Sequence, residues 1–185
     1  MANQMKNKLM DYVMVDNVFT PEECQTYINK LSHNHWQPHR WYQNTSSKYL
    51  NRKDFNVTYD VEVQNMMRDS VMKFAAKYFN EFRDCGDPED QFSGVRFNKY
   101  EMGESIKPHV DHIHSLFDGQ KRGIPVLSFV GVFNDDYEGG EFMLCNQKID
   151  LKQGDCVLFP SIFLYPHEVT PVTKGTRHSW VLWSW

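Results

Sequence analysis

A histidine and an aspartate stand two apart at His109-Val110-Asp111, and a further histidine, His167, and an arginine, Arg177, follow later in the chain. On an extended strand side chains alternate with period 2, so His109 and Asp111 share a face. His167 from a later strand would complete a set of two imidazoles and one carboxylate. Such a set covers one face of an octahedral metal and leaves the other positions open. Arg177 is a permanent cation whose planar fork can hold a carboxylate with two hydrogen bonds. A metal beside a carboxylate clamp suggests a metal that works with an acidic co-substrate. Histidine-x-aspartate alone is a weak signal, and the chain has eight histidines. By residue type and spacing alone, a functional metal site and a chance pattern stay equally open.

Positioning these residues takes strands. From Phe92 onward the chain reads as short strands between turns. Val95 to Glu101 alternates. Val126 to Phe133 is rich in β-formers and runs into Asn134-Asp135-Asp136-Tyr137-Glu138-Gly139-Gly140, a turn whose glycines allow positive φ. Glu141 to Leu144 and Lys148 to Leu151 follow, then the turn Gln153-Gly154-Asp155, the strand Cys156 to Phe159 and a last strand from Thr176 to Trp185. The N-terminal half differs. A short strand within Asp11 to Val18 leads into a helix at Thr20-Pro21-Glu22-Glu23, where Thr20 caps, Pro21 takes the first helical position and Glu23 closes a capping box. Cys24, Tyr27, Ile28 and Leu31 then make one apolar stripe. Asp60 caps a second helix to about Phe82, with Val63, Met67, Ser70, Val71, Phe74 and Tyr78 on one face. Two helices followed by many short strands predict a mainly β fold with flanking α-helices, a sandwich or jelly-roll barrel able to bring His109 and His167 together inside. His33 to Asn56 is polar, with Trp36, Trp41 and Tyr42 embedded. Its length predicts a strand and a mobile segment beside the barrel mouth.

At 185 residues the chain reads as a single domain, with helical support over about 20–83 and a β core over about 92–185. A net charge of −4 gives no basic footprint for nucleic acid. Cys24, Cys85, Cys145 and Cys156 are scattered with no C-x-x-C, which reads as reduced thiols in or near a core. The first residues carry lysines but no apolar run, against a signal peptide. The longest apolar run, Ile124 to Phe133, falls short of the roughly 20 residues a membrane span needs. The expectation is a soluble, cytoplasmic protein with no membrane partner.

Four segments resemble a known family. Tyr100-Glu101-Met102-Gly103-Glu104-Ser105-Ile106-Lys107-Pro108-His109-Val110-Asp111 is similar to the Y-x-x-G-x-x-x-x-x-H-x-D segment of the prolyl 4-hydroxylase-like 2-oxoglutarate/Fe(II) dioxygenases. Asn134 to Glu141 resembles their N-D-x-x-x-G-G-E turn, and Gly154 to Ser161 their G-D-x-V-x-F-P-S strand. His167-Glu168-Val169-Thr170-Pro171-Val172-Thr173-Lys174-Gly175-Thr176-Arg177 resembles H-x-V-x-P-V-x-x-G-x-R. The last three look closest to the PKHD-type hydroxylase branch. The matches are ordered and lie between Tyr100 and Trp185; the N-terminal half resembles the family only loosely.

The resemblance implies a double-stranded β-helix (jelly-roll) core holding Fe(II), with 2-oxoglutarate bound through its keto-acid end. Carried over by position, it implies His109, Asp111 and His167 as metal ligands and Arg177 as partner of the far carboxylate. It places Ser128 where the family often has a hydroxyl near that carboxylate, and Tyr100 where an aromatic can reach the co-substrate. Both have an alternative as plain interior residues. Trp183 shares a face with Arg177, Ser179 and Val181 and could line the pocket. One departure stands out: many animal-type members have a tyrosine where this chain has Val132, so Ser128 and Arg177 must suffice or another residue substitutes. His112 and His114 read as loop or surface residues, and His178 should face away from Arg177. A second metal among His33, His35 and His39 competes with a loop beside the barrel mouth.

The function implied is an Fe(II)- and 2-oxoglutarate-dependent hydroxylase that consumes O2 and yields succinate and CO2, with ascorbate as an accompanying reductant. Its substrate would be a prolyl residue in a peptide or protein, the alternative being a free amino acid or other small molecule. The rival readings are a non-catalytic β-barrel binding module that retains a metal, and a cupin-type metalloenzyme without a keto-acid co-substrate. Arg177, lying soon after His167, disfavours the second.

Overall fold

The computed structural model describes residues 8–39, 54–82, 92–111 and 125–185. The capping box forms as the sequence indicates. Thr20 Oγ1 accepts from the Glu23 amide at 3.2 Å, and the Glu23 carboxylate accepts from the Thr20 amide at 2.8 Å. It opens helix α1 (Pro21–Leu31), which buries Cys24, Tyr27 and Leu31. Asp60 Oδ1 accepts from the Val63 amide at 2.9 Å and opens α2 (Val61–Glu81), which turns Val63, Met67, Val71, Phe74 and Tyr78 inward.

Both helices cover one face of a seven-stranded antiparallel sheet. Its order is β1 (Met14–Asn17), β10 (Asp155–Pro160), β6 (Leu127–Val132), β13 (Arg177–Ser184), β4 (Arg96–Tyr100), β3 (Asn56–Thr58) and β2 (Gln37–Pro38). A second sheet of four strands runs β5 (Ile106–His109), β11 (His167–Val169), β8 (Phe142–Leu144) and β9 (Gln147–Ile149). A ribbon pairs β12 (Val172–Lys174) with β7 (Glu138–Gly139). This is the double-stranded β-helix core with flanking helices.

Alternation sorts the large sheet's side chains between two cores. Leu127, Phe129, Cys156, Leu158, Trp180 and Leu182 pack on the helices. Val130, Val132, Val157, Phe159 and Val181 face inward, where Ile106, Phe142, Leu144 and Val169 of the second sheet meet them. Strand β6 is therefore buried on both faces along its whole length, which is why its sequence is an almost unbroken apolar run. Gly131 sits beneath fully buried Trp180; a Cβ there would lie 2.2 Å from the indole.

Several short strands differ from the sequence reading. The stretch read as Lys148 to Leu151 is β9 at Gln147–Ile149, and β7, β11 and β12 span only two or three residues each. Elements this short carry too few residues for a period to show. Of His33 to Asn56, the described ends contribute the edge strand β2 and the first residue of its neighbour β3, while Trp41 and Tyr42 lie outside the described residues. Among the described residues no helix is long and apolar enough to cross a membrane.

Candidate metal and co-substrate site

His109 ends β5 and pairs directly with His167, the first residue of β11. That register brings the two imidazole centroids within 4.3 Å. Asp111 is not on the strand, as its spacing suggests, but just beyond its end. Even so, its Oδ1 lies 3.8 Å from His109 Nε2 and its Oδ2 3.6 Å from His167 Nε2. All three ligand atoms fall within 4.8 Å of one another. Adjacent ligands of an octahedral ion with bonds of about 2.1 Å stand about 3 Å apart, so the three donors converge on one point and would draw closer to hold an ion.

The outer contacts orient the donors. His109 Nδ1 donates to the Lys107 carbonyl at 2.9 Å and His167 Nδ1 to the Tyr165 carbonyl at 3.1 Å. A carbonyl only accepts, so each Nδ1 carries a proton, and in the neutral ring the lone pair is left on the Nε2 that faces Asp111. Burial, then neighbouring His167, push the His109 pKa down to about 4, against the opposing pull of Asp111. Burial alone would raise the Asp111 pKa. Neighbouring His167, the Ser128 hydroxyl, His109 and the Trp183 side chain outweigh it and hold the carboxyl below its usual range. Two imidazoles and an ionised carboxylate are the donor set an open-faced divalent metal takes.

Arg177 begins β13 directly opposite Tyr100 of β4. It is 1% exposed. Nη1 donates to Ser179 Oγ at 2.7 Å, but Nε and Nη2 have no hydrogen-bond partner among the described residues. The guanidinium lies 5.3 Å from the Tyr100 ring and 6.0 Å from the Tyr137 ring. Ring faces soften a cation's burial but do not satisfy N–H donors. An incoming carboxylate would. Gly140, at φ +60, leaves the room, since a Cβ there would lie 3.1 Å from Arg177 Cδ. This gives Gly140 of the Asn134–Glu141 turn a task beside Arg177.

Tyr100 is buried and stacked on Phe55 with ring centroids 4.4 Å apart. Burial pushes its phenol up to about 12, so it stays a donor at neutral pH. The sequence reading puts the Ser128 hydroxyl near the co-substrate's far carboxylate. The structure instead bonds Ser128 Oγ to Asp111 Oδ2 and to Ser161 Oγ, both at 2.7 Å, and the hydroxyl bonded to Arg177 is that of Ser179. The reason is register: Ser128 pairs with Trp183 and Ser179 with Asn98, so the two serines sit at different levels of the sheet. Val132 lies buried in the inner core. Trp183 lines the same cavity as the three candidate ligands, Tyr100 and Arg177. Arg96, Asn98 and Ser179 line it too and are not singled out by the sequence reading; counting by two from Tyr100 and from Arg177 would have found them. His178 lies outside this cavity, and His112 and His114 fall outside the described residues.

The profile of the 2OG-Fe(II) oxygenase superfamily matches residues 95–185. A PKHD-type hydroxylase of Saccharophagus degradans is 30% identical over 180 residues, covering 91% of this chain and 76% of that protein. The chain belongs to the 2-oxoglutarate/Fe(II) oxygenase superfamily. A PKHD-type hydroxylase of Shewanella oneidensis is 39% identical over 99 residues, 50% of this chain and 43% of that protein, so the match spans less than half of this relative's length. A viral collagen prolyl hydroxylase from Paramecium bursaria Chlorella virus-1, solved with 2-oxoglutarate, superimposes with a TM-score of 0.68 at 17% identity over 93% of this chain and 94% of that one. At that identity the likeness concerns the fold. Fe(II) and 2-oxoglutarate are the groups the superfamily works with, and the donor set and the buried arginine fit them.

Proposed function

We propose that the chain is one dioxygenase domain, residues 1–185, that hydroxylates a carbon of its substrate and converts 2-oxoglutarate and O2 to succinate and CO2. The observation that carries this is the pairing of the His109, Asp111 and His167 donor set with a buried guanidinium whose Nε and Nη2 have no hydrogen-bond partner among the described residues, both facing one cavity. A metal-retaining binding module would have no need of the second feature.

In this reading His109, Asp111 and His167 hold Fe(II), which supplies open positions for the keto acid and O2 and the oxidising power for hydroxylation. Arg177 grips the far carboxylate of 2-oxoglutarate with Nε and Nη2, while Ser179 fixes the fork through Nη1. Tyr100 caps the guanidinium and offers its phenolic proton to the co-substrate. Ser128 holds Asp111 in place, and the apolar inner core excludes water. One oxygen atom of O2 goes to succinate and the other to the substrate hydroxyl, which balances the reaction. The collagen prolyl hydroxylase likeness supports a prolyl residue in a peptide or protein as substrate. Buried thiols at Cys24, Cys145 and Cys156 suit a reducing compartment such as the cytoplasm. The test is succinate release from 2-oxoglutarate by the purified protein with Fe(II) and ascorbate. Release abolished by Asp111→Ala supports the reading; none from the wild type refutes it.

A further inference from the structure

The cavity holds a second arginine. Arg96 begins β4, four residues before Tyr100, and so shares its inward face. It lines the cavity with His109, Asp111 and Trp183. Its guanidinium lies 5.2 Å from the Trp183 ring and 5.8 Å from the Phe55 ring. Nε donates to Asn98 Oδ1 at 3.1 Å, and Nη1 lies 3.4 Å from His39 Nε2. Neither neighbour is an anion. Asn98 is neutral, and burial followed by the charge of Arg96 pushes His39 down to about 4. No carboxylate of the described residues forms an ion pair with Arg96.

Arg96 and Arg177 enter the cavity from different levels of the sheet. Along the β4–β13 pair, Arg177 stands opposite Tyr100 and Arg96 opposite Val181. That is four residues of strand, about 14 Å, between the two levels. In the proposed function Arg177 takes the far carboxylate of 2-oxoglutarate, which leaves Arg96, within electrostatic reach of Asp111, with no ligand assigned to it. Trp183, whose side chain touches Asp111, lies beside Arg96 at that far level. The metal donors therefore have one arginine toward each end of the cavity. One end suits the co-substrate and the other is left for the substrate.

We propose that Arg96, backed by Asn98 and flanked by Trp183 and Phe55, binds a carboxylate of the primary substrate. Hydroxylation then falls on a carbon a few bonds from that carboxylate. The aromatic flanks exclude water from the ion pair, and the fork sets its direction. The inference rests on the function proposed above and narrows its substrate to an acid. The carboxylate can belong to a small acid or to an acidic peptide.

The test uses the full chain loaded with Mn(II), which does not turn over, and 2-oxoglutarate. Calorimetry compares N-acetyl-L-proline with N-acetyl-L-prolinamide, and Gly-Pro-Gly bearing a free C-terminus with its C-terminal amide. We expect the carboxylate of at least one pair to bind tenfold or more tightly than its amide. Arg96→Gln should bring the pair to parity with 2-oxoglutarate affinity within twofold of wild type. Arg96→Lys should keep part of the preference, which separates a recognition role from loss of folding. A preference in the proline pair assigns a small acid; one confined to the peptide pair assigns a peptide. Three results overturn the inference: no carboxylate preference in wild type, including no binding of either acid at millimolar concentration; a preference that survives Arg96→Gln; or a tenfold loss of 2-oxoglutarate affinity in that variant. Failure of Mn(II) and 2-oxoglutarate to bind the wild type would refute the proposed function instead.

Discussion

Arg177→Met should move two quantities in opposite directions. Arg177 is a buried cation whose side chain, among the described residues, makes one hydrogen bond and leaves Nε and Nη2 without a partner. Replacing it with an unbranched apolar side chain removes the cost of burying that charge, so the free protein should be as stable as wild type or more so. Binding should suffer. Breaking a buried ion pair by removing one partner costs about 3–5 kcal/mol, and 1.4 kcal/mol is about tenfold, so 2-oxoglutarate affinity should fall by about 10²-fold or more. Urea unfolding reads the first effect and calorimetry in the presence of Mn(II) the second. With 2-oxoglutarate at about 100 times the wild-type dissociation constant, wild type should gain about 2.7 kcal/mol and the variant almost nothing. Arg177→Lys should fall between, keeping charge but losing the fork. A free Arg177→Met protein destabilised by about 3 kcal/mol that still binds 2-oxoglutarate normally would mean Arg177 is a structural cation, and the clamp would have to be sought elsewhere.

Ser128→Ala should lower metal affinity by about tenfold or more, because its hydroxyl donates to Asp111; equilibrium dialysis with Mn(II) reads it. Gly131→Ala should lower stability by about 1–3 kcal/mol or more, since its Cβ would collide with Trp180; an unchanged urea midpoint would show that the indole has somewhere to go. Burial, then Lys99, push the His178 pKa down to about 4 from an ordinary 6.5. The unfolded chain therefore binds a proton first as the solution is acidified. Its contribution is complete above about pH 6.5 and is lost as pH falls toward 4, so His178→Gln should flatten the pH dependence of the metal-free protein's urea midpoint across that window.

Chemistry carried by local order was legible in the sequence. Thr20-Pro21-Glu22-Glu23 signals the start of α1 through its own side-chain hydrogen bonds, and the strict alternation of β13 puts Arg177, Ser179, Val181 and Trp183 on one face. What depends on register was not. Nothing in the local pattern says that His109 faces His167 across β5 and β11, or that Ser128 lies level with Trp183 and so reaches Asp111. Those meetings are set by which strands pair, and resemblance supplied the ligand set ahead of geometry. The alternation of Val95 to Glu101 marks a strand but does not by itself say that an inward position carries a charge, as Arg96 does. Yet the alternation that places Tyr100 places Arg96 and Asn98 beside it.

The most direct test of the account is the stoichiometry and location of metal binding. Equilibrium dialysis of Mn(II) against wild type should give one ion per chain. His109→Ala, Asp111→Ala and His167→Ala should each weaken it by at least tenfold, while Arg177→Met leaves it nearly intact. Metal binding that survives the loss of all three side chains, or that is absent from wild type, would contradict the account.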